Sequence, residues 1–147
     1  MPSRKPRRLV AAALVVLVLA LLIAGCSSSS KGTVVQATGG TWTNITPDQL
    51  ATSLKSKDFT LLNVKTPYTG EIAGTDLYIP YDQLQARATE LPADKTAPIV
   101  VYCRSGHESA IAAQSLVDLG YTNIDNLDGG MAAWVDSGRP LVQLPRS

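Results

Sequence analysis

The run Val101-Tyr102-Cys103-Arg104-Ser105-Gly106-His107-Glu108-Ser109 concentrates the chemistry of this 147-residue chain. A short apolar, β-rich stretch ends at Cys103, and a helical pattern begins after it. Backbone N–H groups at a helix start have no partner within the helix and carry partial positive charge. They hold anions, and they favour a thiolate over a thiol. Gly106 permits backbone angles at which several N–H groups converge on one point. Arg104 adds a permanent cation next to the sulfur. The loop therefore has the physics of an activated nucleophile beside an anion cradle. The plainer alternative is an inert core thiol, and the place of Cys103 between strand and helix argues against it. His107, the sole histidine, is either a base or substrate contact or a merely exposed loop residue. Ser105 bonds either a ligand or only the backbone.

These residues need a scaffold, and the pattern supplies one. Thr46-Pro47-Asp48-Gln49 is a helix start: Thr46 caps, Pro47 suits the first turn and Gln49 completes a capping box. Leu50 and Leu54 then share a face. Residues 59–64, Phe-Thr-Leu-Leu-Asn-Val, read as a buried strand, and a loop with Pro67, Gly70 and Gly74 follows from Lys65 to Tyr78. Tyr68 and Glu71 in that loop are candidates for a pocket rim. Pro80 to Leu91 reads as a helix that Tyr81 and Asp82 start without carrying chemistry. Ile99 to Tyr102 is a second buried strand, Ala110 to Leu119 a packed helix stopped by Gly120, and Asn123 to Leu127 a third strand. Gly129-Gly130 is a turn before a short helix over Met131 to Asp136. Strands alternating with helices predict a parallel sheet with helices on its faces. Such sheets bind ligands at the carboxyl ends of their strands, which is where Cys103 stands.

The first 25 residues are set apart as a targeting segment. Arg4, Lys5, Arg7 and Arg8 precede an uncharged apolar run from Leu9 to Ala24, 16 residues long, where a spanning helix needs about 20. Ile23-Ala24-Gly25-Cys26 resembles the lipobox of bacterial lipoproteins, which implies that Cys26 is acylated and becomes the first residue of the mature chain. The alternative is an amino-terminal membrane helix that is never cut. The lipoprotein reading gives a signal over residues 1–25, a flexible Ser/Gly/Thr-rich tether over 26–41 and a folded domain over 42–147. It places the domain outside the cell, anchored by lipid at the outer face of the membrane or on the periplasmic side of a two-membrane cell. The whole chain has a formal charge of +1; removing the signal's 4 basic residues leaves 9 basic against 12 acidic, or −3. With no basic patch left, nucleic acid is not an expected partner. Of the two cysteines one is the expected lipid site, so Cys103 has no partner for a disulfide, and an unpaired thiol in an exported chain calls for an explanation. One histidine and one free thiol do not make a protein-only zinc site.

Several stretches together resemble the single-domain rhodanese family of sulfurtransferases. They are Leu61 to Lys65; Ile79-Pro80 with Leu84; Cys103-Arg104-Ser105-Gly106 with Ala112-Ala113; Leu116; Gly120-Tyr121; and Leu127, Gly129-Gly130, Ala133-Trp134 and Gly138. The resemblance runs from about Thr46 to Leu141. It implies a three-layer α/β domain with a small parallel sheet flanked by helices, and Trp134 as a packing residue. It implies that the Cys103 thiolate takes the outer sulfur of thiosulfate or of a persulfide. The resulting persulfide would be held by the loop of Arg104, Ser105, Gly106, His107, Glu108 and Ser109. The acceptor would be a thiol or cyanide, with a protein thiol as one form, and neither metal nor organic cofactor is implied. A phosphatase of the related cell-cycle type needs Arg where Ser109 stands, and thiol–disulfide chemistry lacks a second, resolving Cys.

Two positions depart from the family pattern. The loop often reads Cys-x-x-Gly-x-Arg, and Glu108 occupies the Arg position. The first strand often ends Asp-Val-Arg, and here it reads Asn63-Val64-Lys65. Pointing inward, Glu108 would repel anionic donors and oppose the thiolate. Pointing outward, it would complete a capping box with Ser105. Asn63 is then readable as a compensating change, an acid removed where the loop lost a base. If turnover is lost, the same fold becomes a module that binds an anion or a partner protein.

Overall fold

The computed structural model describes residues 32–145. The signal expected over residues 1–25 and Cys26 lie outside them. Six strands form one sheet: β1 (Thr33–Ala37), β2 (Gly40–Ile45), β3 (Thr60–Asn63), β4 (Leu77–Tyr78), β5 (Ile99–Tyr102) and β6 (Ile124–Leu127). Their order is β1-β2-β6-β5-β3-β4. All neighbours run parallel except β1 and β2, which form an antiparallel hairpin. Among the described residues three α-helices join them: α1 (Pro47–Ser53), α2 (His107–Asp118) and α3 (Gly130–Asp136).

Every residue of β5 is buried, because helices cover both faces of the sheet. On one face Leu62, Val64, Ile99, Val101 and Ile124 pack against Ala112, Ala113 and Leu116 of α2. On the other, Leu61, Val100, Tyr102 and Leu127 pack against Leu50 of α1 and Met131 and Trp134 of α3. Burying one such Leu side chain contributes about 1.5–3 kcal/mol. The capping box at α1 forms as expected. The Gln49 N–H donates to Thr46 Oγ1 at 3.3 Å, and the Thr46 N–H donates to Gln49 Oε1 at 2.7 Å.

Two expectations are corrected. The stretch taken as tether up to residue 41 contains β1, the hairpin turn and the first residues of β2. Thr33-Val34-Val35-Gln36-Ala37 has β-forming residues, and Gly39, at φ +83°, closes a two-residue turn between Ala37 and Gly40. Gln114 of α2 clamps that turn, donating from Nε2 to the Thr38 carbonyl at 2.9 Å and accepting the Thr38 N–H at 3.2 Å. Asn126 Nδ2 of β6 and Trp42 Nε1 both donate to Asn44 Oδ1, tying β2 to the sheet. The segment from Pro80 to Leu91 is not an α-helix but two 3₁₀ turns, Tyr81–Gln83 and Ala88–Glu90. Its buried apolar anchors are Leu84 and Leu91, seven residues apart, too sparse to bury an α-helical stripe.

Candidate functional site

Cys103 leaves the carboxyl end of β5, a central strand of the sheet, and is fully buried. The chain then turns through Arg104, Ser105 and Gly106 into α2. Gly106 is the N-cap at φ +94°, a conformation that suits glycine, and it aims its N–H at the sulfur: Gly106 N to Cys103 Sγ is 3.1 Å. Ser109 is buried and its hydroxyl donates to the Gly106 carbonyl at 3.2 Å, fixing that peptide from below. Among the described residues, the N–H groups of Arg104, Ser105, His107, Glu108 and Ser109 have no protein acceptor. They are the orphan donors of the loop and of the first turn of α2.

The start of α3 holds the loop from its other side. The Met131 N–H donates to the Cys103 carbonyl at 2.9 Å, and the Ala132 N–H donates to the Arg104 carbonyl at 2.9 Å. Such close approach requires glycine. A Cβ on Gly130, which has φ +58°, would lie 2.4 Å from the Cys103 carbonyl oxygen. A Cβ on Gly129 would lie 2.7 Å from Ala133 Cβ. The Gly-Gly-x-x-Ala-Trp pattern is thus the imprint of a helix start docked on the Cys103 loop. Trp134 is buried and donates to the Pro140 carbonyl, so it belongs to the core.

Glu108 does not act as the helix cap that was one of its two readings from sequence. No side chain caps α2, so the Ser105–Glu108 capping box is absent. Instead Glu108 Oε1 accepts from Lys65 Nζ at 3.1 Å, with side chains only 19% and 14% exposed. Lys65 Nζ also donates to the Thr66 carbonyl at 2.6 Å. The two departures from the family pattern therefore meet: the cation at the end of β3 is neutralised by the anion in the loop. Asn63 does not touch Glu108. It is fully buried, donates from Nδ2 to the Gly70 carbonyl at 3.1 Å and accepts the Lys65 N–H at 3.0 Å. It acts on Glu108 only through the backbone of Lys65.

Arg104, Ser105 and His107 are exposed at the mouth of the loop. Of the rim candidates, Tyr68 bonds the Leu144 N–H and stacks edge-on against Tyr78, while Glu71 is buried and its backbone pairs with Val142. The residue between them that reaches the site is Thr69. With Arg104, Met131, Val135, Asp136 and Leu141 it lines a cleft of about 370 Å³ beside the loop. Sequence reasoning missed this cleft because its walls come from three separated segments. Among the described residues no three His, Cys, Asp or Glu side chains are placed to hold a metal ion.

Residues 46–137 match the family model of the rhodanese-like domain. The chain is 36% identical over 91 residues to a protein named sulfurtransferase from Allochromatium vinosum, covering 59% of this chain and 81% of that one. It is 31% identical over 83 residues to a protein named thiosulfate sulfurtransferase GlpE from Coxiella burnetii, covering 55% and 76%. Of some other curated relatives it spans only 24% to 59% of the length. The crystal structure of a rhodanese-related protein from Thermoplasma volcanium superposes with a TM-score of 0.58 at 31% identity, over 67% of this chain and 96% of that one.

Proposed function

The chain belongs to the rhodanese-like domain family, and on that footing we propose that it is a sulfurtransferase working through a persulfide on Cys103. The thiolate attacks the outer sulfur of thiosulfate or of a persulfide donor. The bond from that sulfur to the rest of the donor breaks, and sulfite or a thiolate leaves with the electron pair. An acceptor thiolate, or cyanide, then attacks the outer sulfur of the Cys103 persulfide, and the Cys103 thiolate departs. Sulfur is transferred with no net oxidation of the protein. The observation that carries the reading is the Gly106 N–H on Cys103 Sγ at 3.1 Å, inside a loop whose other N–H groups lack protein acceptors. Such donors stabilise negative sulfur and a transferring anion without reorganising. The test is thiocyanate formation from thiosulfate and cyanide, compared with Cys103→Ser.

The Lys65–Glu108 pair favours a second reading, in which the loop binds an anion or a protein partner without turnover. It removes the charge that a dianionic donor would use. Absence of Cys103-dependent sulfur transfer from every sulfane donor would decide for it. The proposed setting is the outer face of the cell membrane, or the periplasmic side where there are two, with Cys26 as the lipid site. Labelled fatty acid entering the wild type and not Cys26→Ser supports this; equal labelling overturns it.

A further inference from the structure

The cleft beside the loop carries two opposite charges, Arg104 and Asp136. Both are exposed, and neither is in an ion pair among the described residues, with each other or with any other group. Asp136 is the last residue of α3, whose final turn holds no basic residue. The last-turn carbonyls of Ala133, Trp134 and Val135 are satisfied by Ser137, Gly138 and Arg139, so the carboxylate of Asp136 is the group there that can take a cation. Apart from Thr69 the other walls are apolar: Met131, Ala132, Val135, which is 47% exposed, and Leu141. The volume lies at the low end of small-molecule sites, about 300–1,000 Å³. The floor is bonded to the nucleophile's own backbone, through Met131 to Cys103 and through Ala132 to Arg104.

We propose that this cleft binds the amino-acid end of a small zwitterionic thiol, the sulfur acceptor, with its carboxylate on Arg104 and its ammonium on Asp136. A cysteine-type thiol has both charges and a short methylene stem that suits the apolar walls. The inference rests on the sulfurtransferase reading for its chemistry, although binding itself does not require turnover. Thiosulfate, a dianion, meets Asp136 as a repulsive neighbour and gains nothing from the apolar walls. Lys65, the other cation near the loop, is already satisfied by Glu108.

The test uses the full-length chain in detergent. Cys103 is first loaded from thiosulfate or an organic persulfide, and the added sulfur is verified by intact mass. Four thiols then discharge it at matched thiolate concentration: cysteine with both charges, N-acetylcysteine with the carboxylate, cysteamine with the ammonium, and 2-mercaptoethanol with neither. Each charged end is expected to raise the discharge rate about three- to tenfold. Asp136→Asn should erase the advantage of cysteine over N-acetylcysteine, and Arg104→Gln its advantage over cysteamine. Equal rates for all four thiols, or an equal loss for all four in Asp136→Asn, would overturn the proposal. If Cys103 takes up no sulfur, the sulfurtransferase reading fails, and the cleft is judged by equilibrium dialysis with labelled S-methylcysteine. Binding that Asp136→Asn and Arg104→Gln each weaken upholds the cleft assignment, and no binding to the wild type rejects it.

Discussion

Replacing Glu108 with Gln tests the electrostatics of the site directly. The Lys65–Glu108 contact at 3.1 Å corresponds to a Coulomb attraction of roughly 5 kcal/mol at an effective dielectric constant near 20. Desolvation of two side chains that are 14% and 19% exposed cancels most of it. The net contribution to stability falls between that of surface pairs and that of buried pairs, about 1–2 kcal/mol. The kinetic effect has the opposite sign. Glu108→Gln removes an anion from the first turn of α2 and leaves Lys65 as an unpaired cation near the loop. An unscreened unit charge near a protein surface changes the interaction with a second charge by about 1 kcal/mol or more, and thiosulfate has two. The variant should therefore melt lower and yet react about 5- to 30-fold faster with thiosulfate in kcat/KM. The gain should shrink as salt is raised, and an uncharged persulfide donor should show little of it. The assay is thiocyanate formation at 20 and 200 mM salt with both donors, beside a urea melt. Equal effects on the charged and uncharged donors, or a stability loss with no gain for thiosulfate, would refute the reasoning. Glu108→Arg should cost more stability, since it sets two cations side by side.

Asn63→Asp should destabilise the fold by about 1–3 kcal/mol in urea, because a buried carboxylate oxygen would face the Gly70 carbonyl where Nδ2 now donates at 3.1 Å. Unchanged stability and activity would dismiss any role for this position in holding Lys65. Gly130→Ala should cost both stability and sulfur transfer, since its Cβ would press on the Cys103 carbonyl; a variant with wild-type activity would show that docking of the loop on α3 does not matter. Asp125, half-buried on β6, has its carboxyl pushed up by burial. A raised folded-state value means that the folded state binds the proton more tightly than the unfolded one. This contribution to stability is full below the ordinary carboxylate range and is lost as pH rises through the raised value. Asp125→Asn should therefore raise the melting temperature by a few degrees at pH 7. The difference should disappear as pH falls towards the ordinary carboxylate range. A melting gain independent of pH would contradict this.

The fold and the place of Cys103 at the end of β5 were legible in sequence because their signals are local. The β5 run, the Thr46–Gln49 capping box and the Gly129-Gly130 turn each specify their own backbone, and Cys103 follows directly from the strand it ends. The β1–β2 hairpin was hidden by composition, since the Ser/Gly/Thr content around it outweighed the short β-rich Thr33–Ala37. The fate of Glu108 was not readable at all. Its partner Lys65 is 43 residues away in sequence and comes near only because β3 and β5 pair in parallel register, ending Asn63 beside Tyr102. The same holds for the cleft, where Thr69, Arg104 and Asp136 converge from three carboxyl-end segments. Long-range pairs of charges carry no periodic mark in the chain, so neither reading of Glu108 made from sequence included its ion pair with Lys65.

The most direct measurement is the intact mass of the purified protein after brief incubation with thiosulfate, repeated with an organic persulfide. One added sulfur is expected on wild-type protein, none on Cys103→Ser, and return to the starting mass after addition of a thiol. Unchanged mass with both donors, or sulfur added equally to Cys103→Ser, would contradict the sulfurtransferase reading.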